Sequence, residues 1–379
     1  MMQIGRRWQI VLSLMILFLH PTVGVAQAPG LQVEAKAAVL LDIVSEQIFF
    51  DQNPTIRIAP ASLTKLMTVY LAYDALRAGT VRLTDSVSIS QQAWKMGGAQ
   101  IFLNVGDQIA LEELLKGVAI ASGNDAAVAV AEHLAGLPAA FVARMNAKAG
   151  ELGLRDTRFQ NPHGLPAKDQ YTTAKDIAFL ALHLILDHPV ALDLHSVKEF
   201  EYNGIKHWNR NRLLWKDPRV DGLKTGWLEE AGYHLVATAA EEERRLIAVV
   251  LGAGSERARE EIALRLLNYG FKNFHNVRFF AKGERVKNLP VWKGTQDYLG
   301  VIAKGPGIVT VNNGSPHPTL TYRLPDKLVA PIPAGQKLGE ALITVNGQEL
   351  ARVELVAMRA VPEADLIKRL LHSLLLIFY

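Results

Sequence analysis

The sequence predicts an α+β fold: an antiparallel sheet flanked by helices, then a small all-β domain and a C-terminal amphipathic helix. Three observations predict it. Strand-like apolar runs stand on both sides of a block of helical periodicity, at residues 38–50 and 235–251. Beyond His275, turn signals such as Gly305-Pro306-Gly307 and Asn312-Asn313-Gly314 recur about every ten residues. At the end of the chain, Leu366, Ile367, Leu370, Leu371, Leu374 and Leu375 share one helical face, with Asp365, Lys368, Arg369, His372 and Ser373 on the other.

The chain has 379 residues, 49% of them hydrophobic, which is enough for a sizeable core and for two domains. Lys+Arg number 41 against Asp+Glu 37. No long basic run exists and the aromatics are not interleaved with Arg or Lys, so nucleic acid is not an expected partner. There are no cysteines, which excludes disulfides and cysteine-ligated metals. No His-Glu-x-x-His pattern is present, and neither a metal nor another cofactor is expected.

Arg6-Arg7 precede an apolar run over residues 10–19, and small residues follow at Gly24-Val25-Ala26-Gln27-Ala28. This reads as a secretory signal peptide over residues 1–28, with cleavage after Ala26 or Ala28. The apolar run is short for an uncleaved span. The mature chain is therefore expected outside the inner membrane.

In chain order, residues 38–43 and 48–50 form a hairpin around Val44-Ser45-Glu46-Gln47. Pro60-Ala61-Ser62-Leu63-Thr64-Lys65 opens a helix, with Leu63, Leu66, Met67, Tyr70 and Leu71 on helical spacing. Mixed turns follow to about Gly106, and Lys95-Met96-Gly97-Gly98-Ala99 reads as a mobile surface-loop tip. Residues 111–121 form an apolar helix that stops at Ser122-Gly123-Asn124, and Asp125 is placed to cap the next. Helix 139–152 and the turn Asn161-Pro162-His163-Gly164-Leu165 come next, with His163 read as a hydrogen-bonded structural histidine. Thr173 and Asp176 open a further helix in capping-box style. Residues 220–227 enter a strand, 235–239 and 246–251 are strands, and 257–271 return as a helix. The domains are thus expected at 29–274 and 275–360. Pro362 opens the last helix, in an anchoring unit expected over 361–379; at about 17 residues the helix is shorter than the roughly 20 of a membrane span and suits an interfacial position.

Ser62 and Lys65 lie one helical turn apart, a hydroxyl beside an amine, hence a nucleophile beside a base. Burial at a helix start favours the neutral amine. A Ser-x-x-Lys match alone is expected roughly once by chance in a chain of this length. Ser122-x-Asn124 alone is ordinary turn chemistry. In this chain they are followed, in order, by Lys224-Thr225-Gly226. These are the three motifs of active-site serine β-lactamases and penicillin-binding proteins.

With Ala121-Ser122-Gly123-Asn124-Asp125-Ala126, Asn161-Pro162-His163-Gly164-Leu165, Asn209-Arg210-Asn211 and Val220-Asp221-Gly222-Leu223-Lys224-Thr225-Gly226, the chain resembles the low-molecular-mass penicillin-binding proteins, serine-type D-alanyl-D-alanine carboxypeptidases. The resemblance spans nearly the whole chain. It implies that Ser62 attacks the penultimate D-alanine carbonyl of a peptidoglycan stem peptide, with Lys65 as base and Ser122 relaying a proton. It places Asn124, Lys224, Thr225, Gly226 and Trp227 around the substrate. The oxyanion hole would be the backbone N–H groups of Ser62 and Trp227. The terminal carboxylate would meet Thr225 and an arginine, Arg259 by its position relative to the closing helix, with Arg210 second. Penicillin and other β-lactams would be trapped on Ser62. The resemblance also implies a periplasmic protein held to the outer face of the inner membrane by its last helix. Two departures stand out: Leu228 replaces a small hydroxyl residue, and the loop near Gly97 is short. A β-lactamase, a cross-link endopeptidase and a non-catalytic wall-binding scaffold are the alternatives on the same fold.

Overall fold

Five strands form the central sheet, in the order Ile48–Gln52, Ala37–Asp42, Arg244–Ala253, Gly232–Glu241 and Val220–Leu228, with every pair antiparallel. The computed structural model describes residues 31–376; the expected signal peptide and residues 377–379 lie outside them. Both ends of the stretch from Ala37 to Ala253 contribute strands because both carry long apolar runs that need two covered faces. Alternation along the strand shows this directly. Ala37, Val39 and Leu41 pack into one core with the helical block, while Ala38 and Leu40 pack into a second core beneath the Glu256–Asn273 helix.

The helical block comprises, among others, Lys65–Arg77, Asn124–Ala135, Pro138–Glu151 and Ala174–Asp187. Thr173 caps the last of these through its hydroxyl, which accepts from the Asp176 N–H at 3.1 Å. Two local expectations need correction. The helix before Ser122 is α only over Leu111–Lys116 and widens to a π-helix over Gly117–Ala121. Asp125 does not cap its own helix, whose N-cap is Gly123. Its carboxylate accepts from the next residue's N–H, that of Ala126, at 2.8 Å, and reaches out of the helix to the backbone N–H groups of Ile101, Phe102 and Leu103 at 2.9–3.3 Å.

From Phe274 to Ala357 the chain is all-β. The Phe274–Phe280 strand pairs with Gly307–Asn312, beside a six-stranded sheet built from residues 285–357. The turn of the first hairpin reaches this region, where the Ser45 and Thr310 hydroxyls lie 2.6 Å apart.

The last helix is shorter than expected. It runs Leu366–Leu375, starting after Asp365, which caps it by accepting from the Lys368 N–H at 2.9 Å; Pro362 lies in the preceding segment. Its polar face is tied to the β region. Lys368 pairs with Asp297 at 2.8 Å, and His372 Nδ1 accepts from the Lys293 N–H at 2.9 Å with its ring edge-on to Trp292. Its leucines and isoleucine face outward, from 42% exposed at Leu375 to 81% at Ile367. Among the described residues, no single helix is long and apolar enough to cross a membrane.

Candidate active site

Ser62 sits in a single 3-10 turn, Ala61–Thr64, that feeds the Lys65–Arg77 helix. Ala61 has φ +49°, a left-handed backbone that costs a non-glycine residue energy and so is held by its surroundings. Two glycines hold it. Gly164, at φ +94°, packs so closely that a Cβ there would lie 1.8 Å from the Ala61 carbonyl oxygen. Gly226 packs on the other side, where a Cβ would lie 3.1 Å from the Ala61 Cβ and 3.3 Å from the Ser62 nitrogen. The backbone at Ser62 is thereby clamped between the 161–165 turn and the edge strand.

Lys65 is wholly buried. Its Nζ donates to Asn124 Oδ1 and the His163 carbonyl, each at 2.7 Å, and lies 3.2 Å from Ser62 Oγ. Burial pulls its pKa from 10.5 down to about 7, and the Asp125 carboxylate opposes the shift. The amine is thus poised to exist neutral near neutral pH. His163 is buried; its Nδ1 accepts from the Leu165 N–H at 3.1 Å, and burial followed by the Lys65 charge lowers its pKa to about 3. It is a neutral structural histidine.

Ser122 ends the π-helix in a left-handed conformation, φ +64°. Its Oγ accepts from Lys224 Nζ at 2.9 Å; the same amine donates to the Thr225 carbonyl at 3.0 Å. Burial, then the charge of Lys65, holds the Lys224 pKa well below its ordinary value. The two Ser–Lys pairs therefore meet across one cleft, with Asn124 bridging from Lys65 to the loop. Asn124 Nδ2 donates to the Gly97 carbonyl at 2.7 Å, and its backbone N–H to that of Ala99, also at 2.7 Å. The Lys95–Ala99 stretch is therefore hydrogen-bonded to the site, not a free tip. Its glycines suggested freedom, and its partner lies far along the chain.

The remaining expected residues divide. Thr225 is buried on the edge strand beside Lys224. Arg259 is buried beneath it: Nη1 donates to the Gly226 carbonyl at 3.4 Å, the guanidinium lies 5.7 Å from the Tyr233 ring centroid, and Nε has no partner. Arg210 is exposed and makes no ion pair among the described residues. Trp227 is half exposed and leans on Tyr233 at 6.0 Å. Among the described residues, no group of three or more His, Asp and Glu side chains is gathered to hold a metal.

Sequence reasoning missed a buried clasp behind the strand. His195 Nδ1 donates to the Leu223 carbonyl at 3.0 Å, and Asn211 Nδ2 to that of Gly222 at 2.8 Å. Asn209 Nδ2 in turn ties the His195 and Val197 carbonyls. Both backbone groups immediately before Lys224 are thus fixed. The Asn209-Arg210-Asn211 stretch was visible, but nothing in its spacing pointed to Gly222.

A serine hydroxyl on a buried amine, backed by a second Ser–Lys pair, is the site of a serine acyl-transfer enzyme. A family model described as D-alanyl-D-alanine carboxypeptidase matches residues 22–255, and one described as penicillin-binding protein 5, C-terminal domain, matches residues 274–363. The chain belongs to the D-alanyl-D-alanine carboxypeptidase family. It is 38% identical to D-alanyl-D-alanine carboxypeptidase DacC of Escherichia coli K12 over 93% of this chain and 90% of that protein. Among solved structures it is similar to penicillin binding protein 5 from Haemophilus influenzae, with TM-score 0.84, 36% identity, and coverage of 89% of this chain and 100% of that one. It is also similar to penicillin-binding protein D2 from Listeria monocytogenes in an ampicillin-bound form, with TM-score 0.60, 29% identity, and coverage of 64% and 100%.

Proposed function

We propose that this protein is a serine-type D-alanyl-D-alanine carboxypeptidase that removes the terminal D-alanine from peptidoglycan stem peptides through an acyl-enzyme on Ser62. The observation that carries this reading is the wholly buried Lys65 amine, 3.2 Å from Ser62 Oγ and drawn to a pKa of about 7. Neutral Lys65 takes the hydroxyl proton as Ser62 Oγ attacks the penultimate D-alanine carbonyl. The oxyanion forms against the backbone N–H groups of Ser62 and Trp227, whose strand is held against the Ser62 turn by the bare Gly226.

Ser122, held by Lys224 at 2.9 Å, relays a proton to the leaving amine. Thr225 and Arg259 receive the terminal carboxylate. Arg259 is favoured over Arg210 because it is buried beside the Gly226 backbone with an N–H unpartnered. Asn124 holds Lys65 and spends its other end on Gly97, so its first role is to orient the base; contact with the substrate backbone comes second. Water, activated by Lys65, then releases the shortened peptide. Penicillin acylates the same serine, its strained amide standing for the D-alanyl-D-alanine bond.

The protein acts in the periplasm, after removal of residues 1–28, and lies against the outer face of the inner membrane. The outward apolar face of Leu366–Leu375, locked by its polar face to the β region, supports that position. The catalytic unit spans 29–274 and the β-rich unit 275–360. Assay of free D-alanine released from a stem pentapeptide tests the function. Release by the wild type and none by Ser62→Ala is expected, whereas equal release by both sinks the reading.

A further inference from the structure

The two backbone N–H groups assigned to the oxyanion hole belong to separate segments, Ser62 to a turn and Trp227 to the edge strand. Their spacing depends on what holds the turn to the sheet. Gly226 sets the closest approach: a Cβ there would lie 3.3 Å from the Ser62 nitrogen and 3.4 Å from the Pro60 carbonyl oxygen. Steric contact limits approach and does not prevent separation. A tie that draws the two segments together is also required.

His234 supplies one. It stands directly opposite Gly226 where the edge strand pairs with Gly232–Glu241, so the two residues share a face of the sheet. The bare Gly226 leaves its imidazole room to reach the turn. Nε2 donates to the carbonyl of Ala59, three residues before Ser62, at 3.1 Å. Nδ1 accepts from the Gly252 N–H at 2.9 Å. The preceding residue, Ile58, is already tied to Thr172 through both its backbone groups, at 2.8 and 2.9 Å. The Ala59 tie is the next one along the chain towards Ser62.

The sheet is shaped for this ring. Tyr233 stands opposite Ala253 and Leu235 opposite Val250, so His234 alone faces both Leu251 and Gly252. This is a β-bulge, with Gly252 at φ +73°. A bulged residue drops out of the ladder, and here its N–H turns onto Nδ1. His234 is wholly buried, and a donor at Nε2 with an acceptor at Nδ1 requires the neutral ring. Burial first, with the charges of Arg259 and Lys36, lowers its pKa to about 4, so the ring is neutral at neutral pH.

We infer that His234 is a positioning residue for the acyl-transfer step: by tying Ala59 to the bulge it sets the distance between the Ser62 and Trp227 N–H groups, with Gly226 as the stop. This rests on the oxyanion hole proposed above. Both ring nitrogens are spent on main chain, so His234 offers none to the substrate and acts only through the backbone it holds.

The two nitrogens can be removed separately. Asparagine puts an amide oxygen where Nδ1 stands, keeping the Gly252 bond but not reaching Ala59. Glutamine puts an amide N–H where Nε2 stands, keeping the Ala59 bond and losing the other. Stopped-flow acylation of the mature protein by benzylpenicillin separates the dissociation constant of the first complex from the acylation rate constant. The covalent adduct reached at long times counts folded molecules. His234→Asn is expected to lower the acylation rate constant about 10- to 100-fold, with the dissociation constant within about twofold of wild type. His234→Gln is expected to restore the rate constant to within about threefold of wild type. Equal rate constants in the two variants, whether both high or both low, overturn the inference, as does a loss confined to the dissociation constant. Where His234→Asn does not fold, His234→Gln decides alone: a low rate constant overturns the inference and one near wild type upholds it. A wild type that forms no adduct overturns the proposed function itself, a different result from either.

Discussion

Lys65 and Lys224 each bring a buried amine to a serine hydroxyl, Ser62 at 3.2 Å and Ser122 at 2.9 Å, and the charge of Lys65 helps to depress Lys224. Two cations side by side in one buried cleft are unfavourable, so the site favours a state in which an amine is neutral. That is the state a general base requires.

The pH dependence follows. Protonated Lys65 cannot accept the Ser62 proton, so acylation falls as pH drops below its pKa of about 7 and levels off above it. Stopped-flow acylation by a β-lactam across this region is expected to show a rising limb with a midpoint near that value. A flat profile there excludes Lys65 as the base.

Asp125→Asn is expected to act twice. The carboxylate is what raises the Lys65 pKa against burial, so its loss moves the acylation midpoint to lower pH. It also accepts from the backbone N–H groups of residues 101–103, and an amide NH₂ placed among them leaves buried donors unmet. A stability loss of about 1–3 kcal/mol is expected from urea unfolding. A midpoint that rises or stays put contradicts the electrostatic part.

Gly164→Ala is expected to be severe for its size. The new methyl would meet the Ala61 carbonyl at 1.8 Å, and the backbone is left-handed at φ +94°. The carbonyl is main chain and must shift, taking the neighbouring Ser62 with it. A loss of about 2–4 kcal/mol in unfolding, with slowed penicillin acylation per folded molecule, is expected. Ala at Gly79, where nothing lies within 4 Å but φ is +69°, separates backbone strain from the clash and should leave acylation untouched.

Removing residues 366–379 is expected to abolish binding to lipid vesicles, because the outward apolar face of this helix goes with it. Co-sedimentation of intact and shortened protein measures this. A shortened protein that still sediments places the membrane contact elsewhere.

The fold class was legible because strand and helix periodicities differ and long apolar runs stand on both sides of the helical block, near residues 37–50 and 232–253. The site was legible wherever the chemistry itself dictates residue type: a hydroxyl three residues before a lysine, and a Lys-Thr-Gly on a strand. What stayed hidden was non-local. The grip of Asp125 on residues 101–103, the hydrogen bonds from Asn124 to Gly97 and Ala99, and the His195–Asn211 clasp on Leu223 and Gly222 join residues from 11 to 28 positions apart. No local pattern encodes such pairs. The π-helical turn at Gly117–Ala121 was also hidden, since its residues fit an α pattern equally well. At the last helix, Pro362 was a plausible start, but the capping carboxylate of Asp365 sets the boundary.

Intact-mass analysis of the mature protein with benzylpenicillin tests the central claim most directly. One covalent adduct per chain, mapped to Ser62 and lost in Ser62→Ala, is the predicted result. An unlabelled wild type, or an adduct that persists in Ser62→Ala, would contradict the account.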